Sequence, residues 1–241
     1  MTVLLPMRNA ERWIAASITS LLAQTHSKLQ IIVIDNGSED RSLEIAPRFD
    51  DPRLTVVSHP KGGLASTLNA GYAHVPDAVQ LIARQDADDL SERGRLEAQI
   101  RLLRSDSRLA LVGAAHREID LDDQTLRVTK VLTEPDAIRQ RLRHGNPFAG
   151  ASLLMERWLF DALGGYDTAF DGRIGEDYDF LVRAAELADF SAVTEPLYVY
   201  RTNNPDSMCG AIGYDYRDAK AFVQKRARLR GSSIFAEAPR A

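Results

Sequence analysis

The chain has 241 residues, 44% hydrophobic and 27% charged, with a net charge of −4 and an isoelectric point of about 5.8. That length fits one α/β domain with a substantial core, and the composition excludes a disordered or low-complexity chain. The mild acidity lacks the basic excess of a nucleic-acid-binding surface, while a lone cysteine, Cys209, excludes an internal disulfide or a cysteine-based zinc cluster and suits a reducing compartment.

The first hundred residues alternate strand and helix patterns. Val3 to Leu5 is a short apolar run stopped by Pro6. From about Ala10 to Gln24, the residues Trp13, Ile14, Ile18, Leu21 and Leu22 recur at helical spacing. Leu29 to Ile34 is continuous and rich in β-branched residues, which suits a strand covered on both faces. It runs into the turn Asp35-Asn36-Gly37-Ser38, and a second helix is predicted over Glu39 to Arg48. Leu54 to Val57 reads as a third strand, Gly62-Gly63 opens a helix with Leu64, Leu68 and Tyr72, and Val79 to Ala83 reads as a fourth strand. The alternation predicts a mostly parallel sheet covered by helices. Ligands of such sheets bind beyond the carboxyl ends of the strands, where both Asp35 and Asp86 are placed.

The second half is less regular. Helices are predicted over Arg93–Arg104, Pro135–Arg143, Arg157–Leu163 (stopped by Gly164-Gly165) and Asp177–Leu187. Strands are predicted over Leu109–Glu118, Leu126–Leu132, Ala151–Met155, Ala192–Val193 and Leu197–Tyr200. Residues 1–212 are read as one domain and 213–241 as a helical extension packed on it or trailing from it. Arg217 to Arg230 contains six cations against Asp218, with Phe222 and Val223 as its strong apolar anchors. Such a helix either lies on an anionic bilayer or presents a solvated face. Met1 to Pro6 lacks the form of a signal peptide, and no apolar run reaches membrane-spanning length. The expectation is a cytoplasmic protein, with peripheral contact at the inner face of a membrane left open.

Three acidic segments carry candidate chemistry. Asp86-Ala87-Asp88 offers two carboxylates at a strand mouth, which can converge on Mg²⁺ or Mn²⁺ together with substrate phosphates; the plainer reading is a solvated turn. Asp35 can accept hydrogen bonds from a base or ribose, or simply close a turn whose Ser38 caps the next helix. Gly175-Glu176-Asp177-Tyr178-Asp179 supplies either a general base for an acceptor hydroxyl or acidic partners for a helix N-terminus. His26, His59, His74, His116 and His144 are scattered and are assigned no chemistry, and Trp13 and Trp158 are read as core.

In order, these pieces resemble the family 2 glycosyltransferases, inverting enzymes with the GT-A fold. The resemblance runs from Val3-Leu4-Leu5-Pro6 with Asn9-Ala10, through Gln24-Thr25 and Ile31 to Asp40. It continues through Gly63, Asn69-Ala70-Gly71 and Asp86-Ala87-Asp88-Asp89. It ends with Gly164-Gly165-Tyr166-Asp167, Glu176-Asp177-Tyr178-Asp179, Pro196-Leu197 and Tyr200-Arg201. It implies a GT-A-type α/β fold and transfer of a sugar from a nucleotide-diphosphate sugar, UDP-sugar favoured, to an acceptor hydroxyl. The acceptor would be a saccharide or a lipid-linked glycan of cell-envelope polysaccharide or glycolipid synthesis. By the same resemblance the donor site comprises Pro6, Arg8, Asn9, Asp35, Asp86, Ala87 and Asp88, with Asp88 linked to Mn²⁺ or Mg²⁺. Asp177 would be the general base, and Glu176 a supporting or acceptor-contacting residue.

Two positions depart from the pattern. Arg8 stands where many members have tyrosine, and Arg201-Thr202-Asn203-Asn204-Pro205 lacks the histidine that often follows the Tyr-Arg pair. They leave open an alternative, a catalytically degenerate nucleotide-binding module of the same fold. A dinucleotide oxidoreductase is disfavoured because the first strand leads into Pro6-Met7-Arg8-Asn9 rather than a Gly-X-Gly-X-X-Gly loop. A nucleotidyltransferase would need a glycine-rich, basic triphosphate loop there.

Overall fold

The computed structural model describes residues 1–205 and 216–236; Cys209 and the boundary drawn at residues 212 and 213 lie outside them. The first half follows the expected alternation: β1 (Thr2–Met7), α1 (Ile14–Leu22), β2 (Gln30–Asp35), α2 (Ser42–Ile45), β3 (Leu54–Ser58), α3 (Leu64–Tyr72) and β4 (Leu81–Arg84). The predicted second helix is cut to one turn of α-helix, with a tighter 3₁₀ turn at Ala46–Arg48 that contains Pro47. There follow β5 (Leu90–Ser91), α4 (Arg95–Ser105), β6 (Leu109–Ile119), β7 (Thr125–Val128), α5 (Pro135–Leu142), β8 (Leu154–Glu156), α6 (Arg157–Leu163), α7 (Glu176–Ala184), β9 (Asp189–Arg201) and α8 (Tyr216–Leu229).

The strands form a nine-stranded sheet in the order β3-β2-β1-β4-β8-β6-β9-β5, with β7 paired to β6. The β3-β2-β1-β4 half is parallel, as expected. Beyond it the sheet is mixed, because β8 runs antiparallel to both β4 and β6 while β6 and β9 are parallel. Alternate side chains of the buried strands feed two cores, one on each face. Leu4, Ile32 and Ile34 pack with α3, α5, α6, α7 and α8, and Val3, Leu5, Ile31 and Val33 pack with α1 and α4.

Pro6 lies inside β1 without breaking the ladder. Leu4 O accepts from Gln85 N at 3.1 Å, so residue 6, two positions on, faces the same edge. Registered pairing with β4 ends at Leu4, so no ladder partner there needs an N–H from Pro6.

Strand expectations are corrected at three places, and β5 has no counterpart among them. The first is Leu126–Leu132, which ends at Val128. Ala151–Met155 is not one strand: Gly150–Ser152 forms a 3₁₀ turn, with both N and Oγ of Ser152 donating to Ala149 O, and the strand begins at Leu154. The two late strands are one, β9; its parallel register against β6 shifts between Ala114 and His116, opposite the segment containing Pro196. The two-residue β5, too short for a periodic signal, pairs with Val199 and Tyr198. Gly164 ends α6 as expected, with φ 66° in the left-handed region.

The α8 helix packs on the domain. Val223 and Ala227 are fully buried, Phe222 meets Phe170 edge-on at 5.2 Å, and Arg230 bonds Asp179 at 2.6 Å. The two residues offered as membrane anchors, Phe222 and Val223, are thus directed into the domain. No helix among the described residues is long and apolar enough to cross a membrane.

Candidate donor and acceptor site

The turn after β4 carries Asp86, Ala87, Asp88 and Asp89, closed by Asp89 N donating to Asp86 O at 3.2 Å. Asp89 belongs to the scaffold. It is buried and accepts from the Tyr198 hydroxyl at 2.6 Å and from Arg201 N at 2.7 Å, which pins the turn to β9. Burial, then the neighbouring charges of Asp88 and Asp86, push its pKa well up. Arg201 Nε donates to Asp88 O at 3.0 Å and its Nη1 to Asp120 O at 2.8 Å. From beneath, Gln85 binds Ser17 and the buried Arg95 binds Arg84 O. With its backbone fixed on several sides, the turn leaves Asp86 and Asp88 as the partly exposed carboxylates.

Asp88 Oδ2 accepts from Asn204 Nδ2 at 2.7 Å, and Asp86 Oδ1 lies 3.4 Å from Arg84 Nη2. Burial, then the charge of Asp86, raises the Asp88 pKa. Among the described residues no three His, Cys, Asp or Glu side chains form a complete cation cage. An all-oxygen pair at a strand mouth instead fits a hard divalent cation whose remaining ligands are phosphates and water.

The first loop and the Asp35 turn are laced together. Asn9, at φ 48°, accepts from Glu39 N through its side chain at 2.9 Å and donates its own N–H to Ser38 Oγ at 3.1 Å. Asp35 is buried, and its carboxylate accepts from Gly37 N and Ser38 N at 3.2 Å each, so it closes the turn. The expected Ser38 cap is corrected, because Ser38 Oγ accepts from Asn9 N and α2 starts after Arg41 with no side-chain cap. Asn36 clamps this turn to Gly62 through hydrogen bonds of 2.7 and 3.0 Å. Pro6 is buried, and Arg8 is exposed near Glu39.

Glu176 and Asp177 open α7 on the other side of Arg84. Asp177 Oδ1 accepts from Tyr178 N and Oδ2 from Asn146 Nδ2, both at 2.7 Å. Gly150 makes room for this carboxylate: a Cβ there would stand 2.4 Å from Asp177 Oδ2. Burial, then the charge of Asp177, pushes the Glu176 pKa up to about 8. Burial also raises that of Asp177, opposed by Arg84. The Arg84 guanidinium bridges the two carboxylate groups, with Nη1 3.9 Å from Glu176 Oε1 and Nη2 facing Asp86.

The structure thus places Pro6, Asn9, Asp35, Asp86, Ala87, Asp88, Glu176 and Asp177 at or just past the ends of β1, β2 and β4 and the start of α7. Arg84, Asn146, Gly150 and Asn204 escaped sequence reasoning. Only Arg84 left a signal, a charge closing the otherwise apolar run Leu81-Ile82-Ala83. Both tryptophan assignments are corrected. Trp158 is 48% exposed, because the first turn of α6 faces outward there. Trp13 is half-buried between two guanidinium groups, those of Arg201 at 3.9 Å and Arg12 at 4.1 Å from its ring centroid.

Residues 2–161 match the family model described as Glycosyl transferase family 2. The chain is 30% identical over 190 residues to the putative glycosyltransferase EpsE of Bacillus subtilis, covering 77% of this chain and 66% of that protein. It is 29% identical over 238 residues to the O-antigen biosynthesis glycosyltransferase WbnJ of Escherichia coli, covering 93% and 89%. Its fold is similar to the mannosyltransferase PcManGT of Pyrobaculum calidifontis, solved in complex with GDP-Man and Mn²⁺, with TM-score 0.63, 20% identity and coverage of 99% and 65%. The chain therefore spans just under two thirds of EpsE and of the PcManGT structure, and most of WbnJ.

Proposed function

The chain belongs to glycosyltransferase family 2, and on that premise we propose that it transfers a sugar from a nucleoside-diphosphate sugar to an acceptor hydroxyl with inversion. One observation carries the reading: a single buried arginine, Arg84, lies 3.4 Å from Asp86 and 3.9 Å from Glu176, so the aspartates after β4 and the acidic pair of α7 share one site.

In this reading the first loop, with Pro6, Arg8 and Asn9, and the turn at Asp35 receive the nucleoside. Asp86, through backbone and side chain around Ala87, meets the ribose and diphosphate. Asp88 would hold a Mn²⁺ or Mg²⁺ ion, which when bound supplies positive charge opposite the departing diphosphate. PcManGT, a protein of similar fold, is solved with Mn²⁺. Asp177 takes the proton of the acceptor hydroxyl, and Asn146 and Tyr178 N fix its two oxygens for that task. Attack from the face opposite the leaving group inverts the anomeric centre in one displacement, through a transition state of oxocarbenium character.

A UDP-sugar donor is favoured. The acceptor is assigned to cell-envelope polysaccharide or glycolipid synthesis, in line with the O-antigen role in the name of WbnJ. We place the site in the cytoplasm, with any membrane contact of α8 resting on its exposed cations rather than on Phe222 and Val223.

The test is calorimetric titration with UDP, GDP and dTDP, with and without Mn²⁺, against Asp88→Ala. Metal-dependent binding of one nucleotide, weakened in the variant, supports the donor site and names its base. A folded protein that binds none of the three would sink it. Binding without turnover of the matching donor would favour the degenerate module.

A further inference from the structure

Arg84 is a buried cation to which the reaction above gives no task. It is 2% exposed, and Nε and Nη1 make no hydrogen bond to any described residue. Nη1 stops 3.9 Å from Glu176 Oε1, and Nη2 reaches Asp86 Oδ1 only at 3.4 Å. A guanidinium held this deeply costs several kcal/mol in lost hydration unless charge compensates it. The charges of Asp86 from the β4 turn and Asp177 from α7 supply that compensation, with Tyr166 and Glu176 as the other titratable groups facing the guanidinium. The Tyr166 ring centroid lies 5.4 Å from the guanidinium, and burial raises the Tyr166 pKa, which keeps its hydroxyl neutral.

Adjacent carboxylates in such a pocket do not both ionise cheaply, because each raises the proton affinity of the other. Which one keeps a proton depends on the donors around it. Asp177 accepts two hydrogen bonds of 2.7 Å, both of which favour its charged form. Glu176 faces its cation across a longer gap. We propose that Arg84 is a positioning residue whose charge, shared between Asp86 and Glu176, keeps Asp177 ionised as the base while the pair's one proton resides on Glu176. The proposal rests on the reading of Asp177 as general base. It adds a division of labour in that pair: Glu176 is the proton-bearing neighbour, and Arg84 limits the pair to one proton.

The test reads proton occupancy directly, by carboxyl ¹³C NMR titration of protein labelled at Glu and Asp, with Glu176 and Asp177 assigned by loss of their signals in Glu176→Gln and Asp177→Asn. In the wild type Glu176 should be protonated and Asp177 ionised at pH 6. Arg84→Met should raise both titrations, the Glu176 midpoint by a pH unit or more, a tenfold gain in proton affinity. Arg84→Gln, which keeps donors but not charge, should do the same, and Arg84→Lys should restore most of the wild-type midpoint. A wild type with Glu176 ionised at pH 6 overturns the proposal even if the variants fail to fold, and so does a folded Arg84→Met that titrates as wild type. Because no turnover is read, failure of the base assignment is separate: it would appear as transfer surviving Asp177→Asn.

Discussion

The side-chain amide of Asn146 donates a 2.7 Å hydrogen bond to Asp177 Oδ2, joining the loop after α5 to the first turn of α7. Asn146 is itself held, because its Oδ1 accepts from Phe148 N at 2.9 Å. The proposed base is therefore oriented from outside its own helix. Asp177→Asn is expected to lower kcat for transfer by about 10³-fold, and Asn146→Ala by about 10-fold, within the range spanned by general-base catalysis. Nucleotide affinity, measured by calorimetry, should change little in either. Transfer that persists in Asp177→Asn would remove it as the base.

Gly150 lies against that same carboxylate. Since a Cβ at position 150 would approach Asp177 Oδ2 to 2.4 Å and Asp177 Cβ to 2.6 Å, Gly150→Ala should displace Asp177, the proposed base. A displacement of about 1 Å at a reacting group costs roughly 10²-fold in rate. Steady-state kinetics should show that loss in kcat, with donor KM nearly unchanged. An active Gly150→Ala would mean that the loop yields instead of the base.

Asn204 should influence the cation. Its amide holds Asp88 Oδ2 at 2.7 Å in the segment that lacks a histidine. Asn204→Ala frees Asp88 to rotate, and the Mn²⁺ concentration giving half-maximal UDP binding should rise about 10-fold, as is usual when a residue orienting a metal ligand is lost. An unchanged Mn²⁺ dependence would confine Asn204 to a packing role.

The docking of α8 depends on a buried acid. Asp179 is fully buried and accepts from Arg183 Nε at 2.8 Å and Arg230 Nη2 at 2.6 Å. Removing one member of such a buried arrangement costs about 3–5 kcal/mol, so Asp179→Ala should lower the melting temperature by roughly 10 °C. Arg230 is partly solvated, and Arg230→Ala should cost clearly less. Equal losses would show that the Asp179–Arg230 pair itself, rather than burial of the acid, carries the effect.

Stability should fall with rising pH through a window set by Glu176. Its carboxyl titrates at about 8 in the folded chain against 4.5 ordinarily, because of burial and then of Asp177. Between those values the folded state holds a proton that the unfolded chain has lost, so native structure is penalised progressively as pH rises. A melt at pH 8 should come several degrees below one at pH 5, corresponding to at least about 1 kcal/mol from this group. Glu176→Gln should flatten that slope, whatever it does to the absolute melting temperature. A slope of the same size in the variant would assign the pH dependence elsewhere.

Much of the parallel half of the fold was legible in the sequence, because its signals are local. Leu29 to Ile34 announced a strand covered on both faces, and Asp35 and Asp86 could be placed past strand ends by counting from apolar runs. The acidic motifs, and their order along the chain, pointed to the family. The mixed half was less legible: β5 has two residues, and a 3₁₀ turn held by Ser152 replaced part of a predicted strand. What only the tertiary structure decided is which groups face one another. Arg84 lies about ninety positions from Glu176, Asn204 more than a hundred from Asp88, and Asn146 about thirty from Asp177. Such pairings arise from strand order and loop closure, which no local periodicity encodes. The sequence by itself determined that carboxylates would gather at the strand ends. Tertiary packing, by fixing which donors and which buried cation reach each of them, decided how their charges and protons are shared.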